Sequence, residues 1–362
     1  MTNYIPFLKT KANEFSAIKN LDDDIAINIT PFFDINRKEN KNENDGKPII
    51  QNGVSQKYTE NEYKDKIEKL VRKFELNLKK VYTFYLDDHD VDDELYINGA
   101  QSYGFVIERF SSFNFIPIIG INRDNCRNLI VFEKNQLIKS STVAIRLEFE
   151  DIQTGILEIK QLVKLATQYF SQIELIIDMR IMSQDIDIKE VFTVVSKFLS
   201  KSIYTFSKII ISGSSITKAP GEIIDTKTIK DIPRKELELF SLLNSYFTDL
   251  TYGDYTIISP CYSDLNIDPR LLPGITAAKV IYSYGNYHHF CRGEILETGG
   301  NSQYNKFCKH IFESDFYRGK DYSFGDHFIY NAIGKTDGIS PGSILNPTIN
   351  AHISYMYKDY QV

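Results

Sequence analysis

Thr142-Val-Ala-Ile-Arg-Leu-Glu-Phe-Glu150 reads as a β-strand with charges set into an apolar run. Side chains alternate faces along a strand, so Arg146, Glu148 and Glu150 are expected to project the same way. Glu174-Leu-Ile-Ile-Asp-Met-Arg180 repeats the habit with Asp178 and Arg180. Buried charge is costly unless it is paired or put to use. Two such strands predict a polar centre inside an apolar scaffold.

Similar runs recur on both sides, at 4–9, 25–34, 81–87, 115–122, 208–214 and 254–259, which makes eight. Helical patterns fall between most of them, at 13–21, 60–79, 101–110, 154–170, 188–199 and 233–246. Strand and helix alternating eight times predict an α/β fold, a (βα)8 parallel barrel of the TIM type over residues 1–260. The Ile/Val/Leu-rich strands suit a sheet whose outer face is covered by helices. An open, doubly wound sheet would give the same alternation. A polar stretch near 36–55 interrupts the repeat and reads as a mobile loop on the active face or as a tolerated surface insertion. Residues 261–362 form a C-terminal α+β extension, with a strand at 278–284 and helices at 302–312 and 324–332. One of its helices is expected to complete the barrel and the rest to pack over the barrel mouth.

Bulk composition narrows the function classes. The 362 residues are 42% hydrophobic and 25% charged, as in a soluble globular protein. No apolar run reaches membrane-spanning length, and the first residues do not resemble a signal peptide. Cys126, Cys261, Cys291 and Cys308 are too dispersed for a disulfide framework or a zinc ribbon. The cytoplasm is the expected compartment, without membrane contact. A net charge of -6 argues against broad electrostatic binding of nucleic acid and leaves room for a local basic pocket.

Barrel enzymes carry their chemistry at the carboxyl ends of the strands. Those ends offer Lys9, Lys11, Asp34, Asp87, Asp88, Arg146, Glu148, Asp178, Arg180, Gly213, Ser214 and Asp254. Lys9, Lys11, Arg146 and Arg180 are candidates for holding an anionic substrate. Glu148, Asp178 and Asp254 are candidates for acid, base or magnesium ligand. The bland alternative is an ion-pair lattice, with Arg146 on Asp178 and Glu148 on Arg180. Ser212-Gly-Ser-Ser215 ends the seventh run, where barrels commonly bind phosphate, so Gly213 and Ser214 are candidate anion-nest residues. A plain polar turn is the competing reading. Asp87-Asp-His-Asp90 clusters ligand types but reads better as an acidic loop. The six histidines form no HxH or HExxH pair, and no nucleotide-binding glycine loop or hydrolase elbow is present.

Short motifs across the chain resemble the Beta protein family. They are Pro6-Phe-Leu-Lys-Thr-Lys-Ala-Asn-Glu14 with Ala17-Ile18, Tyr252-Gly-Asp-Tyr255, Ile281-Tyr-Ser-Tyr284, Arg292-Gly293, Gln303-Tyr304, Gly319 and Ser323-Phe-Gly-Asp326. The family usually ends with two histidines; here Ala351 takes the place of one and His352 remains. The resemblance implies a setting in phage–host conflict, with a toxic partner protein from the same defence locus, and brings no established reaction. By motif it marks Lys9, Lys11, Glu14, Asp254, Arg292, Gly293, Gln303, Asp326 and His352, with Arg292 as a further substrate-binding candidate.

Two functions are therefore carried forward. One is a barrel hydrolase or lyase acting on a phosphate-bearing, nucleotide or nucleic-acid substrate. The other is a non-catalytic barrel that binds a phage component or restrains a toxic partner. A purely structural barrel with paired core charges is a third.

Overall fold

The computed structural model describes residues 4–38, 50–52, 57–201, 206–262, 265–267, 269–334 and 338–360. Eight parallel strands close on themselves: Tyr4–Lys9, Phe32–Asp34, Phe84–Asp87, Phe115–Ile119, Thr142–Glu148, Gln172–Ile181, Lys208–Ser214 and Leu250–Asp254. The first strand pairs with the second, and with the eighth through Tyr4 opposite Tyr252. The expected barrel is thus the fold, and the open sheet is excluded.

Parity sets what faces inward. A packed interior is built from Ile5, Phe7, Phe32, Tyr85, Ile118, Ile176 and Tyr255. Phe7 stacks on Phe32 at 4.4 Å between centroids and lies 5.3 Å from Tyr255. Gly253 lets this belt close, because a Cβ there would lie 2.6 Å from the Phe7 ring. Below the belt the Tyr85 hydroxyl donates to Glu174, which also pairs with Lys208. Two residues later on these strands, above the belt, stand Lys9, Asp34, Asp87, Arg146 and Asp178.

Several local expectations need correction. Ile25 opens no strand; Asp23–Asn28 is a helix, and the second strand is only Phe32–Asp34. Glu150 does not extend the fifth strand, because Phe149–Thr154 turns helical. The eighth strand lies at Leu250–Asp254, not 254–259. Helices Asn125–Glu133 and Pro341–Lys358 and the strand Tyr287–Ile295 were not expected. Of the 36–55 stretch, residues 39–49 and 53–56 lie outside the described residues, while Ile50–Asn52 pairs with Leu265–Ile267.

The extension is stitched into the barrel. Its antiparallel sheet has the order Thr228–Pro233, Tyr287–Ile295, Ala277–Tyr284, so a strand inserted between the seventh and eighth barrel strands forms one edge. Helix Pro341–Lys358 packs against the helix Ala12–Lys19 and the first strand, the place of the eighth barrel helix. Ile281, Phe290, Ile349 and Ile353 belong to the same apolar core as the barrel helices. No described helix is long and apolar enough to cross a membrane.

Candidate functional site

Arg146 lies at the centre of the upper barrel, fully buried. Its Nε and Nη2 donate to Asp178 Oδ2 at 3.1 and 2.7 Å. Nη1 donates to Asp34 at 2.8 Å and Asp87 at 2.9 Å, and Nη2 also reaches the Tyr255 hydroxyl at 2.8 Å. A guanidinium has five N–H groups. All five are committed here, which leaves none for a substrate.

The carboxylates are equally engaged. Asp87 also accepts from Arg123 and Arg127. Burial alone would raise its pKa, but Arg123, Arg146 and Arg127 outweigh that and hold it well below the usual range. Asp178 accepts from Tyr255 at 2.5 Å, Ser212 at 3.3 Å and the Arg180 backbone at 3.0 Å. Against burial, Arg146 and Arg180 lower its pKa. Asp34 goes the other way, raised by burial with Asp90 and Asp87 nearby. Asp178 is therefore an ionised brace rather than a proton shuttle. The lattice pairings foreseen from sequence are present, with Glu148 4.0 Å from Arg180.

Two strained residues flank this centre. Arg180 has φ 53° and Thr256 φ 57°, a region costly for non-glycine residues and worst for β-branched ones. At Arg180 the ladder to the seventh strand bulges. At Thr256 the chain turns so that Tyr255 faces inward while Asp254 faces outward.

Asp254 therefore does not join Glu148 and Asp178. It forms a second hub between the eighth strand and the extension, buried like the first. Arg234 donates to it at 2.7 Å, Tyr4 at 2.9 Å and Tyr252 at 3.1 Å. His352 Nε2 lies 2.9 Å from Asp254 Oδ2, and its Nδ1 is 2.7 Å from the Ser283 hydroxyl, which is 2.9 Å from His288 Nδ1. Burial would raise the Asp254 pKa, but His352 and Arg234 reverse that. A magnesium site made of Asp178, Glu148 and Asp254 does not fit this placement. Among the described residues no group of three His, Cys, Asp or Glu side chains is arranged to hold a metal.

Open space lies at the rim, on two sides of the segment that follows the eighth strand. On one side is a cavity of about 340 Å³ at the ends of the first, seventh and eighth strands, facing the extension. Lys9, Lys11, Lys218 and Lys279 line it, with Thr217, Ser259 and Tyr262. Lys9 donates to the carbonyls of Ser259 at 3.0 Å and Cys261 at 3.2 Å, and its ammonium lies 3.8 Å from the Tyr262 ring centroid. Burial lowers its pKa to about 8, against the pull of Asp90. Burial and the neighbouring Arg292 also lower Lys279. Glu14 is the carboxylate lining this cavity. On the other side is a cavity of about 460 Å³ with Glu148, Arg180, Asp187 and Glu190 in its wall. His89 Nε2 is 3.2 Å from Glu148 Oε1. Burial would raise the Glu148 pKa, but the His89 hydrogen bond and Arg180 bring it down.

Of the sequence candidates, Lys9 and Lys11 reach the lysine-lined cavity, and Glu148, Asp178 and Arg180 border the acidic one. Gly213 and Ser214 form no open nest. A Cβ at Gly213 would press on Glu236 and Met182 at 3.2 Å, and the Ser214 hydroxyl bonds the Ile258 carbonyl. The residues of that loop that line the cavity lie just downstream, at Ile216, Thr217 and Lys218. Arg292 bonds the Ile224 carbonyl and does not line either rim cavity. The family-marked Gly293 and Gln303 lock together, since a Cβ on Gly293 would lie 2.2 Å from Gln303 Oε1. Asp326 accepts from Tyr282 and Ser323, and its backbone N–H donates to the Ser323 hydroxyl that caps the helix Phe324–Asn331.

Sequence reasoning missed Lys218, Lys279, Tyr255, Tyr262 and His89. Lys279 carried the same signal as Arg146, a charge inside an apolar strand. Tyr255 closes the Tyr252-Gly-Asp-Tyr255 segment that shares in the family resemblance, and Tyr262 carried no signal.

No curated protein and no solved structure matches the chain. The family model described as Beta protein does, over residues 4–358, nearly its whole length. The LKxK end of the first strand, the Asp254–His352 hub and the Gly293–Gln303 lock all fall within that span, and the chain belongs to the Beta protein family.

Proposed function

We propose that the rim is a reaction site for a phosphate-bearing substrate, and that the chain is a hydrolase or lyase of phage–host conflict. The observation that carries this is the convergence of Lys9, Lys11, Lys218 and Lys279 on one cavity at the ends of the first, seventh and eighth strands. Loops after the last two strands are where barrels commonly receive phosphate. Lysine is a point-charge phosphate ligand. A lysine whose pKa is near 8 is also mostly protonated at neutral pH and still a competent proton donor to a departing oxygen. Across the rim, the ionised Glu148 with His89 supplies a base. Asp178, Arg146 and Asp34 hold the floor in place and take no part in proton transfer.

Turnover tests this. Phosphate monoesters, nucleotides and oligonucleotides are offered in turn and products read by phosphorus NMR. Glu148→Gln is expected to cut turnover by about 10²-fold or more while anion binding persists. A folded Glu148→Gln protein with unchanged turnover removes Glu148 from the chemistry.

The second reading, a barrel that binds a phage component or restrains a toxic partner without turnover, draws on the full commitment of Arg146 and Asp178. It predicts a stable complex with that partner on co-purification, unaffected by Glu148→Gln.

A further inference from the structure

Lys11 belongs to two cavities at once. Beside the rim cavity lies a groove of about 590 Å³ between the segment after the first strand and the helix Glu60–Asn77. Five lysines line it, Lys11, Lys38, Lys66, Lys69 and Lys73, against two carboxylates, Glu62 and Asp65. Lys66, Lys69 and Lys73 share one helix face and span about 10 Å along its axis. The adjoining face of that helix buries Tyr63, Ile67, Leu70 and Phe74, which leaves the lysines along the flank that borders the groove. Glu62 is engaged by Lys38 at 2.8 Å and by the Thr59 backbone at 2.9 Å in a capping box. On a chain of net charge -6, this is a local reversal of sign.

We propose that this groove is the track of a single-stranded nucleic acid whose terminal phosphate enters the rim cavity at Lys11. The end point rests on the phosphate reading of the rim; the track stands on its own lysines. A single strand presents regularly spaced phosphates and bends freely, so it can follow the turn from groove to rim. A duplex is too stiff to make that turn. Tyr58 lines the groove and Tyr262 the rim, one on each side of Lys11. The Tyr58 hydroxyl is held by the Asn36 carbonyl at 3.2 Å, which orients its ring. Aromatic rings beside a basic track are what unstacked bases use. An acidic peptide would satisfy the lysines without using the Tyr58 ring.

The test is fluorescence anisotropy with a labelled oligothymidylate of about 12 nucleotides, alongside calorimetric titration with inorganic phosphate. The full-length protein is expected to bind the oligonucleotide with affinity that falls steeply with salt. The variant Lys66→Gln/Lys69→Gln/Lys73→Gln is expected to weaken it at least tenfold. The log–log salt slope should flatten by about 2, since each phosphate neutralised on a single strand adds roughly 0.7 to it. Inorganic phosphate binding should be unchanged in that variant, which also shows that it is folded. Phosphate binding without oligonucleotide binding, or equal oligonucleotide affinity in the variant, overturns the track. Oligonucleotide binding that depends on the three lysines without any phosphate binding supports the track and overturns the rim reading. Displacement of the oligonucleotide by polyglutamate at equal charge concentration assigns the groove to acidic protein and overturns the nucleic-acid proposal.

Discussion

Arg146 and Asp254 sit at the same end of the barrel on opposite faces of its wall. Inside, one guanidinium is shared by three carboxylates and a tyrosine. Outside, one carboxylate is shared by Arg234, His352 and two tyrosines. The first holds five strands of the mouth in register; the second holds the extension to the eighth strand. In both, the charge at the hub is fully paired. Hubs paired in this way brace the barrel, and open space is left at the rim, where Lys9 and Glu148 border cavities.

The comparison breaks most easily at its centres. Arg146→Met would remove the cation shared by Asp34, Asp87 and Asp178 and is expected to cost about 3–5 kcal/mol in denaturant unfolding. Asp254→Asn keeps its shape and some hydrogen bonds, so a loss of about 2 kcal/mol is expected. If Arg146→Met costs less than Asp254→Asn, the inner hub is not the stronger brace.

Acid separates the two hubs. Burial, with Arg234, holds His288 well below its ordinary pKa, and burial lowers His352 in spite of Asp254. The unfolded chain takes up both protons near pH 6.5 and the folded chain resists, so their contribution to stability is lost as pH falls below about 6.5. Asp88, beside the inner hub, is raised by burial to about 6. It binds its proton first in the folded state and so adds stability as pH falls from about 6 toward 4. Urea midpoints measured against pH for wild type and for His288→Gln/His352→Gln should differ in slope from about pH 6.5 downward. Parallel curves would remove the histidines from the outer hub's energetics.

The smallest expected effect is at the turn that sends Asp254 and Tyr255 to opposite faces. Thr256 has a positive φ, and its buried hydroxyl has no hydrogen-bond partner. Thr256→Gly relieves both and is expected to stabilise by about 1 kcal/mol in thermal or urea unfolding. Destabilisation would mean that the turn is held by something other than the hubs on either side.

The barrel is legible in the sequence because its strands are Ile-rich and carry period-2 charge, as in 142–148 and 172–181. It is illegible where pattern and fold disagree. Ile25-Ala-Ile-Asn28 alternates like a strand yet is a helix. Pro341, Gly342 and Pro347 look like breakers, yet Pro341 opens an 18-residue helix that contains Pro347. The eighth strand, Leu250-Thr-Tyr-Gly-Asp254, lacks apolar alternation, so the pattern points to a frame that begins too late and puts Asp254 at the front of the site. With the strand at Leu250–Asp254, Asp254 is its last residue and turns toward Arg234 and His352, away from Glu148 and Asp178. Arg146 and Asp178 meet diagonally across neighbouring strands, Arg146 lying opposite Ile176 and Asp178 two residues farther on the same face. The gathering of Lys9, Lys218 and Lys279 depends on where the extension docks, which no local pattern encodes.

The most direct test of the rim as an anion site is calorimetric titration of inorganic phosphate and of a nucleoside monophosphate into the wild type and Lys9→Gln. Wild type should bind, Lys9→Gln should bind at least about tenfold more weakly, a difference near 1.4 kcal/mol, and wild-type affinity should fall as pH rises through about 8, where Lys9 loses its proton. Equal affinity in the two proteins, or affinity indifferent to pH across that range, would contradict the account.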